Sequence, residues 1–468
     1  MSFKIQYIEE PELMFMGGTA LNPTVGLIKY GPRFSTSDEK EHKWLKVGII
    51  GTGKSISDTI SFFEDMKYTI NPKEIKKWRL PFPGLNEDTK LQFSISVPPE
   101  WQKRITYNEI QELRSERNRE TRTEMVMDLI DKKIKTLSEK NPPEVIIISI
   151  PDEIEELCSN PNYDNPLIKL KNEDDFHHRI KVYGMKYHIP TQIIRARTFS
   201  LKGTQQKSEV AWNMAVGILY KSQRGYPWKL TELEENTCYV GISFFKENES
   251  RKKYVRASMA QLFLDTGESF VLRGDSFEWN EEKEKSKTPH LTKESATKLI
   301  KQVLKQYEEV RDCMPSRIVI HKSSKFWDDE FGGFIEGTKN INNKDFISLQ
   351  TSNIKFYRTE IHPPLRGCLI HTPEKNIYYL YTIGFVPCLN TYPGLGIPKP
   401  IQIDIKIADS PIKKIAQEIL AFTKLDWNNT FLYRKFPVTL EVSRKVGRVL
   451  AESEAKNIKI LPQYYFYM

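Results

Sequence analysis

Short apolar runs separated by longer amphipathic stretches mark the first half of the chain. The segments 44–50 (WLKVGII) and 144–150 (EVIIISI) are almost continuously apolar, which is typical of strands buried on both faces of a sheet. A helical pattern follows the first of them, and a long charged helical pattern covers 107–140, whereas 71–104 predicts irregular structure. This alternation of strands and helices predicts a parallel α/β unit.

The same unit continues to about residue 228. Residues 159–175 are rich in turn-forming residues and predict an exposed loop, followed by a short helix over about 175–186 and a strand over about 190–195. Residues 208–223 are apolar on almost every side, which predicts a buried helix. The sequence RGYPW ends this helix, and we place a domain boundary there.

The second half has the pattern of a mixed sheet closed by helices. A strand at 237–245 precedes two strand patterns that predict antiparallel partners, and 316–321 (SRIVIH) predicts a further buried strand. Thr292 is a suitable N-cap for an amphipathic helix between them. The apolar face of that helix consists of Ala296, Leu299, Ile300, Val303, Leu304 and Tyr307. Two helical patterns end the chain, and the whole order predicts a ribonuclease-H-like domain.

The composition indicates a soluble globular protein, since 39% of the 468 residues are hydrophobic and 28% are charged. No apolar run approaches the ~18 residues of a membrane-spanning helix, so no membrane partner is expected. Glu9, Glu10 and Glu12 lie where a secretory signal would be apolar, which predicts a cytoplasmic protein. The net charge of +9 favours a polyanionic partner without identifying it.

The cysteines are scattered and form no CxxC pair. Their spacing argues against a zinc site and against a disulfide framework, and small buried or half-buried thiols are the expectation. The five positions are Cys158, Cys238, Cys313, Cys368 and Cys388.

The segment GIIGTGKS (48–55) matches the phosphate-loop pattern of nucleotide-binding proteins. In a phosphate loop the strand ends before the first glycine, and the amides that follow stay free to bind phosphate. Here the predicted strand runs through Gly48, Ile49 and Ile50, which favours an ordinary turn between a strand and a helix. A nucleoside triphosphatase that uses Gly48–Ser55 remains an alternative hypothesis.

A cluster of basic and amide residues in the first half has the chemistry of an anion site. His177 and Lys181 are four residues apart and share a face if 175–186 is helical. Gln192 opens the next strand, and Lys221 lies at the end of the buried helix, where it also complements the helix dipole. Each residue alone has an ordinary structural explanation, but together they are suited to hold one phosphate.

The HxxxK spacing, the following IPTQ and the later lysine resemble the MID domain of Argonaute proteins. In that family a tyrosine or histidine, two lysines and a glutamine hold the 5′-phosphate of a guide strand. The resemblance assigns these roles to His177, Lys181, Gln192 and Lys221. The terminal PQYYFYM is similar to the C-terminus of prokaryotic Argonautes, which implies that the Met468 carboxylate, with Gln192, holds a structural Mg²⁺ beside the phosphate.

The second half looks like a PIWI domain in CYVGISFF, SRIVIHKSS, PPLRG, FTKLDWNNT and PVTLEVSRKVGRVL. The expected fold class is therefore α/β, with a Rossmann-like MID domain and a ribonuclease-H-like PIWI domain. We expect an N-terminal extension over 1–40, the MID-like domain over 41–228 and the PIWI domain over 229–468. No room is left for N-terminal and PAZ domains ahead of residue 41, which is the layout of short prokaryotic Argonautes.

The acidic tetrad that holds two metal ions in an active PIWI domain has no counterpart at the matching positions. Ser243, Ser323 and Ser443 (or its neighbour Val442) stand there instead, which predicts a protein without nuclease activity. Asp328 and Asp329 are nearby in sequence, but they match the first turn of a helix better than a metal site.

The resemblance implies a binder that needs a separate effector. In the family, short inactive Argonautes form a heterodimer with an APAZ-containing protein that carries a sirtuin-like, TIR or nuclease domain. Recognition of the target, with further oligomerisation as part of activation, then switches on the effector against invading nucleic acid and shuts the cell down. The favoured expectation is an RNA guide and a DNA target, although a phosphate pocket does not distinguish them.

A basic channel between the two halves is expected to hold backbone phosphates. Arg195, Arg366 and Lys424 are the channel candidates, although each is more often an ordinary surface charge. A nucleic-acid-binding scaffold without a guide, whose basic cluster is structural, is the second alternative.

Overall fold

The computed structural model describes most of the chain. The described residues are 3–33, 42–158, 166–201, 205–249, 252–264, 267–278, 288–357, 359, 363–394, 396–441 and 443–468. For 166–175, 245–249, 252–259, 276–278 and 443–445 only the backbone is described.

Eighteen strands lie in the described ranges. In chain order they are β1 Lys4–Tyr7, β2 Leu13–Met14, β3 Thr19–Ala20, β4 Lys43–Gly51, β5 Phe93–Ser96, β6 Gln102–Arg104, β7 Val145–Ile150, β8 Thr191–Arg195, β9 Lys229–Leu230, β10 Thr237–Glu249, β11 Lys252–Leu264, β12 Ser269–Leu272, β13 Ser276–Glu278, β14 Arg317–Lys322, β15 Asn343–Thr351, β16 Cys368–Thr372, β17 Ile377–Leu380 and β18 Ile401–Ala408.

Thirteen α-helices lie in the same ranges. In chain order they are α1 Pro23–Tyr30, α2 Gly53–Asp65, α3 Tyr107–Ser115, α4 Arg119–Glu139, α5 Asp152–Cys158, α6 Pro166–Lys186, α7 Ala196–Ser200, α8 Lys207–Gln223, α9 Lys293–Arg311, α10 Asp328–Gly337, α11 Ile412–Phe422, α12 Val438–Glu441 and α13 Ser443–Ala455. Within the described residues, no helix is long and apolar enough to cross a membrane.

The first half contains a parallel sheet in the order β5-β4-β7-β8, with β6 also paired to β4. The strands predicted at 44–50, 144–150 and about 190–195 are confirmed as β4, β7 and β8. The prediction of irregular structure over 71–104 is wrong in part, because β5 and β6 lie there. Strand β6 (QKR) contains no apolar residue, and the apolar alternation of β5 (FSIS) covers only four residues, so the hydrophobic pattern is absent or too short to predict them.

Two helix boundaries differ from the prediction. The charged pattern over 107–140 forms two helices, because Asn118 breaks it and caps α4 through its side-chain oxygen. Helix α6 already begins at Pro166, so the exposed loop predicted over 159–175 is wrong from that residue onward. Residues 159–165 lie outside the described part.

The second half contains a ten-stranded sheet in the order β1-β16-β17-β18-β15-β14-β10-β11-β12, with β13 paired to β11. At its centre, β10 is antiparallel to β11, as the sequence predicts, and it is parallel to β14 on its other side. Thr292 caps α9 as predicted, with its hydroxyl accepting from the Ser295 amide at 3.2 Å. All six residues of the predicted apolar face of α9 are buried against this sheet.

The closing helices pack on the opposite face of the sheet. Gly241 of β10 makes this possible, because a β-carbon there would lie 1.8 Å from the Thr439 carbonyl oxygen of α12. None of the described cysteines forms a disulfide; Cys158 and Cys238 are buried, but Cys313 and Cys388 are exposed, which corrects the expectation for those two.

The N-terminal segment packs on the second half. Strand β1 pairs with β16 at the edge of the large sheet, and β2 pairs with β9 and β3 in a small separate sheet. The N-terminal segment therefore packs on the second half of the protein, although the first half follows it directly in the sequence.

Candidate anion-binding site

Two buried lysines reach the start of strand β8 from the helices that flank it. Lys181 of α6 is 1% exposed, and its Nζ donates to the Thr191 carbonyl. Lys221 of α8 is 0% exposed, and its Nζ donates to Gln192 Oε1. The structure thus brings together Lys181, Gln192 and Lys221 around two consecutive residues of β8.

No carboxylate compensates the charge of Lys221 within the described part of the chain. Its Nζ contacts only an amide oxygen, and burial lowers its pKa to about 7. Burying an ammonium group without an anion is unfavourable, so a structural explanation of Lys221 is incomplete. A phosphate placed beside it would supply the missing charge.

His177 lies one helical turn before Lys181 on α6. Its half-buried ring packs edge-to-face on the ring of His178, with centroids 5.5 Å apart. This placement on the same helix follows the HxxxK spacing of the sequence.

The C-terminal segment reaches the same helices. The 3₁₀ turn Tyr464–Phe466 contacts α6 and α8, and the rings of Tyr464 and Tyr465 lie 6.4 and 6.3 Å from Tyr220, the residue before Lys221. Met468 is buried in the same core, and its carboxylate makes no ion pair with any described residue.

The residues predicted to hold Mg²⁺ supply only part of a coordination shell. Gln192 Oε1 already accepts from Lys221, and the only other predicted donor is the Met468 carboxylate. No group of three His, Cys, Asp or Glu side chains is arranged to hold a metal among the described residues. Mg²⁺ commonly completes its octahedral shell with phosphate oxygens and water. The donor set therefore fits the cation only together with a bound phosphate.

A cavity of about 690 Å³ opens beside Gln192. It lies between β8, α7 and α8 of the first half and a loop after α11 of the second half. Its lining residues are Arg79, Gln192, Ile193, Ile194, Thr198, Gln205, Gln206, Glu209, Val210, Asn213, Met214 and Asn428. Sequence reasoning missed Asn213 and Asn428, because a lone asparagine carries no spacing signal.

Two of the positions predicted for a degenerate tetrad are neighbours, one on β10 and the other directly after β14. Ser243 of β10 is buried, and the amide of Ser323, directly after β14, donates to the Ile242 carbonyl at 3.1 Å. His321 faces the closing helices, with Nδ1 3.0 Å from Thr439 Oγ1, and burial lowers its pKa to about 3. The side chain of Ser443 lies outside the described part.

Asp328 and Asp329 occupy the first turn of α10, as the sequence predicts. Asp328 is highly exposed and pairs with Lys406 at 2.8 Å. The neighbouring Glu330 is instead buried and pairs with Lys322 at 2.8 Å. Asp328, Asp329 and Glu330 are therefore first-turn acids of helix α10, which is a structural role.

The segment 48–55 does not form a phosphate loop. Strand β4 runs to Gly51, and Gly48, Ile49 and Ile50 are in register with β7 or β6. Their amides lie in the sheet, as the sequence suggests, and α2 begins after the N-cap Thr52. This geometry argues against the nucleoside triphosphatase alternative.

The prediction that Arg366 and Lys424 line a channel is wrong. Both side chains are fully buried and pair with Glu10, at 2.7 and 2.9 Å. No sequence pattern indicates these ion pairs, because Glu10 lies 356 positions before Arg366 and 414 positions before Lys424. Arg195 is partly exposed but pairs with Glu155, so it also carries no uncompensated charge.

No protein-family model and no curated protein matches this chain. Solved Argonaute and Piwi structures do match it. Clostridium butyricum Argonaute, bound to a guide DNA and a 19-mer target DNA, is 18% identical with a TM-score of 0.64 over 97% of this chain and 53% of its own. Drosophila Piwi is 14% identical with a TM-score of 0.65 over 99% of this chain and 56% of its own.

A third match is Marinitoga piezophila Argonaute in complex with a 5′-OH guide RNA, at 13% identity and a TM-score of 0.56. It is covered over 57% of its length, so this chain spans a little over half of each of these structures. The likeness confirms the predicted α/β fold class, with the MID and PIWI domain folds of Argonaute and Piwi proteins.

Proposed function

We propose that this protein binds a nucleic-acid guide by its 5′-phosphate and uses base pairing to recognise a complementary target. The observation that carries the proposal is the pair of buried lysines at Thr191 and Gln192, in a chain with the Argonaute fold. Among the residues that the structure describes, Lys221 has no carboxylate partner. Burial strengthens a charge-assisted hydrogen bond, so one phosphate suits this site better than any neutral ligand.

Each residue has a separate role in the proposed site. Lys181 and Lys221 supply positive charge, Gln192 supplies a neutral donor, and His177 supplies a ring N–H donor. Mg²⁺, held by Gln192, the Met468 carboxylate and the phosphate itself, would neutralise the remaining negative charge. Sequence-specific recognition comes from pairing between guide and target, while the protein contacts the duplex backbone.

The test compares one guide sequence with a 5′-phosphate and with a 5′-hydroxyl. The wild-type protein should bind the phosphorylated form at least tenfold more tightly. The Lys181→Ala/Lys221→Ala variant should lose most of that preference, because each charge-assisted hydrogen bond contributes about 1.5–3 kcal/mol. Binding is measured by fluorescence anisotropy in Mg²⁺ and in EDTA.

A control variant makes this result specific. Lys67→Ala/Lys305→Ala removes two exposed lysines elsewhere and should leave the phosphate preference unchanged. Equal binding of both guide forms by the wild-type protein would contradict the phosphate site and favour a scaffold without a guide.

We further propose that the protein does not cut its target. Ser243 and Ser323 stand on neighbouring strands where a two-metal site would need carboxylates. A complementary target incubated with guide-loaded protein in Mg²⁺ or Mn²⁺ should stay intact on a denaturing gel. A single guide-directed cut would contradict this proposal.

A binder of this kind would act through a partner. We propose a heterodimer with an APAZ-containing effector, with a sirtuin-like, TIR or nuclease domain, that defends a prokaryotic cell once the target is recognised. Further oligomerisation on activation belongs to the same proposal. The support is the absence of acids at Ser243 and Ser323. Co-purification with such a partner, and effector activity that depends on guide and target together, would test it.

A further inference from the structure

Strand β1 forms the outer edge of the large sheet and exposes a row of apolar side chains. It pairs with β16 on one side, and within the described ranges no strand pairs with its other side. Phe3, Ile5 and Tyr7 are all exposed, and because they alternate along the strand they point to one face. An unpaired strand edge with apolar side chains is a template for pairing with another chain.

This apolar row continues a buried layer of the sheet. In register across the strands, Ile5 of β1 lies beside Ile370 of β16, which lies beside Tyr379 of β17. Ile370 and Tyr379 are buried, whereas Ile5 is 69% exposed. Phe3 packs edge-to-face on Phe356, with ring centroids 5.7 Å apart. Among the described residues, the apolar layer therefore reaches the surface at β1.

A cavity of about 250 Å³ adjoins the same edge. Phe3, Ile354 and Phe356 line its apolar side, and the turn over 372–375 between β16 and β17 lines part of the rest. Ile354 and Tyr357, on either side of Phe356 in the chain, are also exposed. Apolar side chains gathered at one place on a surface, with polar residues around them, indicate an interaction site.

A second copy of this chain matches the free edge in one antiparallel register. A twofold axis beside Ile5 would place this residue opposite Ile5 of the second copy. The same register places Phe3 opposite Tyr7, which is a favourable aromatic cross-strand pair. On the other face it places Lys4, the only charged residue of the strand, opposite Gln6. Like charges do not meet, so the edge is complementary to itself.

The two neighbouring registers are less favourable. An axis beside Lys4 would place two lysines opposite each other. An axis beside Gln6 would place Lys4 opposite Ile8, which is fully buried and donates its amide to the Gly367 carbonyl at 2.8 Å. Charge and burial therefore both favour the register centred on Ile5.

We propose that two copies of this chain pair through β1 about this twofold axis and join their large sheets into one. The interface includes no residue of the anion-binding site and requires neither a guide nor an effector, so it goes beyond the proposed function. A pairing of four residues on each side is small beside a standard interface of ≈ 1,600 Å², so the dimer should form at micromolar concentrations.

Analytical ultracentrifugation of the full chain from about 1 to 100 µM tests the dimer. The mass should rise with concentration from 54.7 kDa toward twice that value. Ile5→Glu places two carboxylates opposite each other and should keep the protein monomeric. Ile75→Glu is the matched control, because Ile75 is 64% exposed elsewhere on the surface, and it should dimerise like the wild-type protein. Circular dichroism should show that both variants are folded.

Disulfide formation tests the register independently. The background carries Cys313→Ser and Cys388→Ser, since both thiols are exposed. On mild oxidation Ile5→Cys should give a disulfide-linked dimer, because residues directly opposite each other have Cα atoms ~5 Å apart, within disulfide range. Lys4→Cys should give at least tenfold less, since its two copies would lie on the order of 8 Å apart.

Three results would overturn the proposal: a monomeric mass at every concentration, a dimer that persists in Ile5→Glu, or equal disulfide formation from Ile5→Cys and Lys4→Cys. A monomeric mass would leave the edge to a strand of a different protein. The preference for a 5′-phosphorylated guide should be the same in Ile5→Glu and in the wild-type protein, so failure of the dimer and failure of the anion site are separate results.

Discussion

At the scale of single residues, Lys221 is an ionisable group whose protonation state depends on what binds beside it. Its Nζ is buried against an amide oxygen, and burial lowers its pKa to about 7. A phosphate nearby favours the charged form and raises that pKa. Binding of a 5′-phosphate above neutral pH therefore takes up a proton.

We predict that the affinity for a 5′-phosphorylated guide falls as the pH rises from 7 to 9, by up to about tenfold per unit. A phosphate monoester is already dianionic in this range, since its second pKa is ≈ 6, so the change reports on Lys221. Titrations at several pH values measure it. The 5′-hydroxyl guide and the Lys221→Met variant should show little pH dependence, and a flat profile for the phosphorylated guide would contradict the prediction.

The same group makes the stability of the free protein depend on pH. Between about pH 7 and 10.5 the unfolded chain binds a proton at Lys221 that the folded chain lacks, so the free energy of unfolding rises with pH across this window. Lys221→Met should remove this dependence. Because it also removes the buried amine, it should raise the unfolding temperature at pH 7.

Residue spacing was sufficient to predict that Lys181, Gln192 and Lys221 lie close together, but not to judge the surroundings of every charged residue. His177, Lys181, Gln192 and Lys221 could be proposed because helix and strand periodicity fixes which side chains share a face. Whether a side chain is buried by residues from a distant part of the chain does not follow from any periodic pattern in the sequence. The sequence therefore carries no sign that Arg366 and Lys424 are buried, and it carries no signal for Asn428.

At the scale of elements, a buried ion pair joins the end of β14 to the start of α10. Lys322 and Glu330 are both fully buried with Nζ and Oε1 2.8 Å apart. Glu330 also accepts from the amides of Leu291 and Trp327, each at 2.9 Å. Burial lowers the pKa of Lys322, an effect that Glu330 opposes. The Glu330 carboxylate thus connects the segment at Leu291, the end of β14 and the start of α10.

We predict that Lys322→Ala destabilises the second half by about 3–5 kcal/mol, because it leaves Glu330 buried without a cation. Thermal unfolding followed by circular dichroism measures the loss. Lys298→Ala, which breaks the exposed pair with Asp275, is the matched control and should cost at most ~1 kcal/mol. Similar losses of stability for the two substitutions would contradict the prediction, because the buried ion pair would then contribute no more than the exposed one.

Element prediction succeeded where one face of an element is apolar and failed where polar residues set the boundary. The face of α9 and the buried strands β4, β7 and β14 follow from hydrophobic periodicity alone. The break between α3 and α4 depends on the cap at Asn118, inside a charged stretch whose helical pattern continues across it. The short strands β5 and β6 depend on pairing with β4, which local sequence does not encode.

At the scale of the whole molecule, the N-terminal segment is tied into the second half by one buried acid. Glu10 pairs with Arg366 and Lys424, and Lys424 Nζ also donates to the carbonyls of Pro11 and Leu21, at 2.6 and 2.7 Å. Burial alone would raise the pKa of Glu10, but the two cations hold it below the usual value. The Lys424 carbonyl in turn accepts from Trp228 Nε1 at 3.1 Å, at the junction of the two halves.

We predict that Glu10→Gln lowers the free energy of unfolding by about 3–5 kcal/mol, because it leaves two buried cations without a carboxylate. Hydrogen exchange should become faster in β1, β2 and β3, which the cluster holds in place, before it changes in the parallel sheet of the first half. Glu9→Gln alters an exposed neighbour and should have no effect on either measurement. The preference for a 5′-phosphate should persist in Glu10→Gln below its unfolding temperature, since Lys181 and Lys221 lie in the other half. Loss of that preference without unfolding would mean that the two halves are coupled through this cluster.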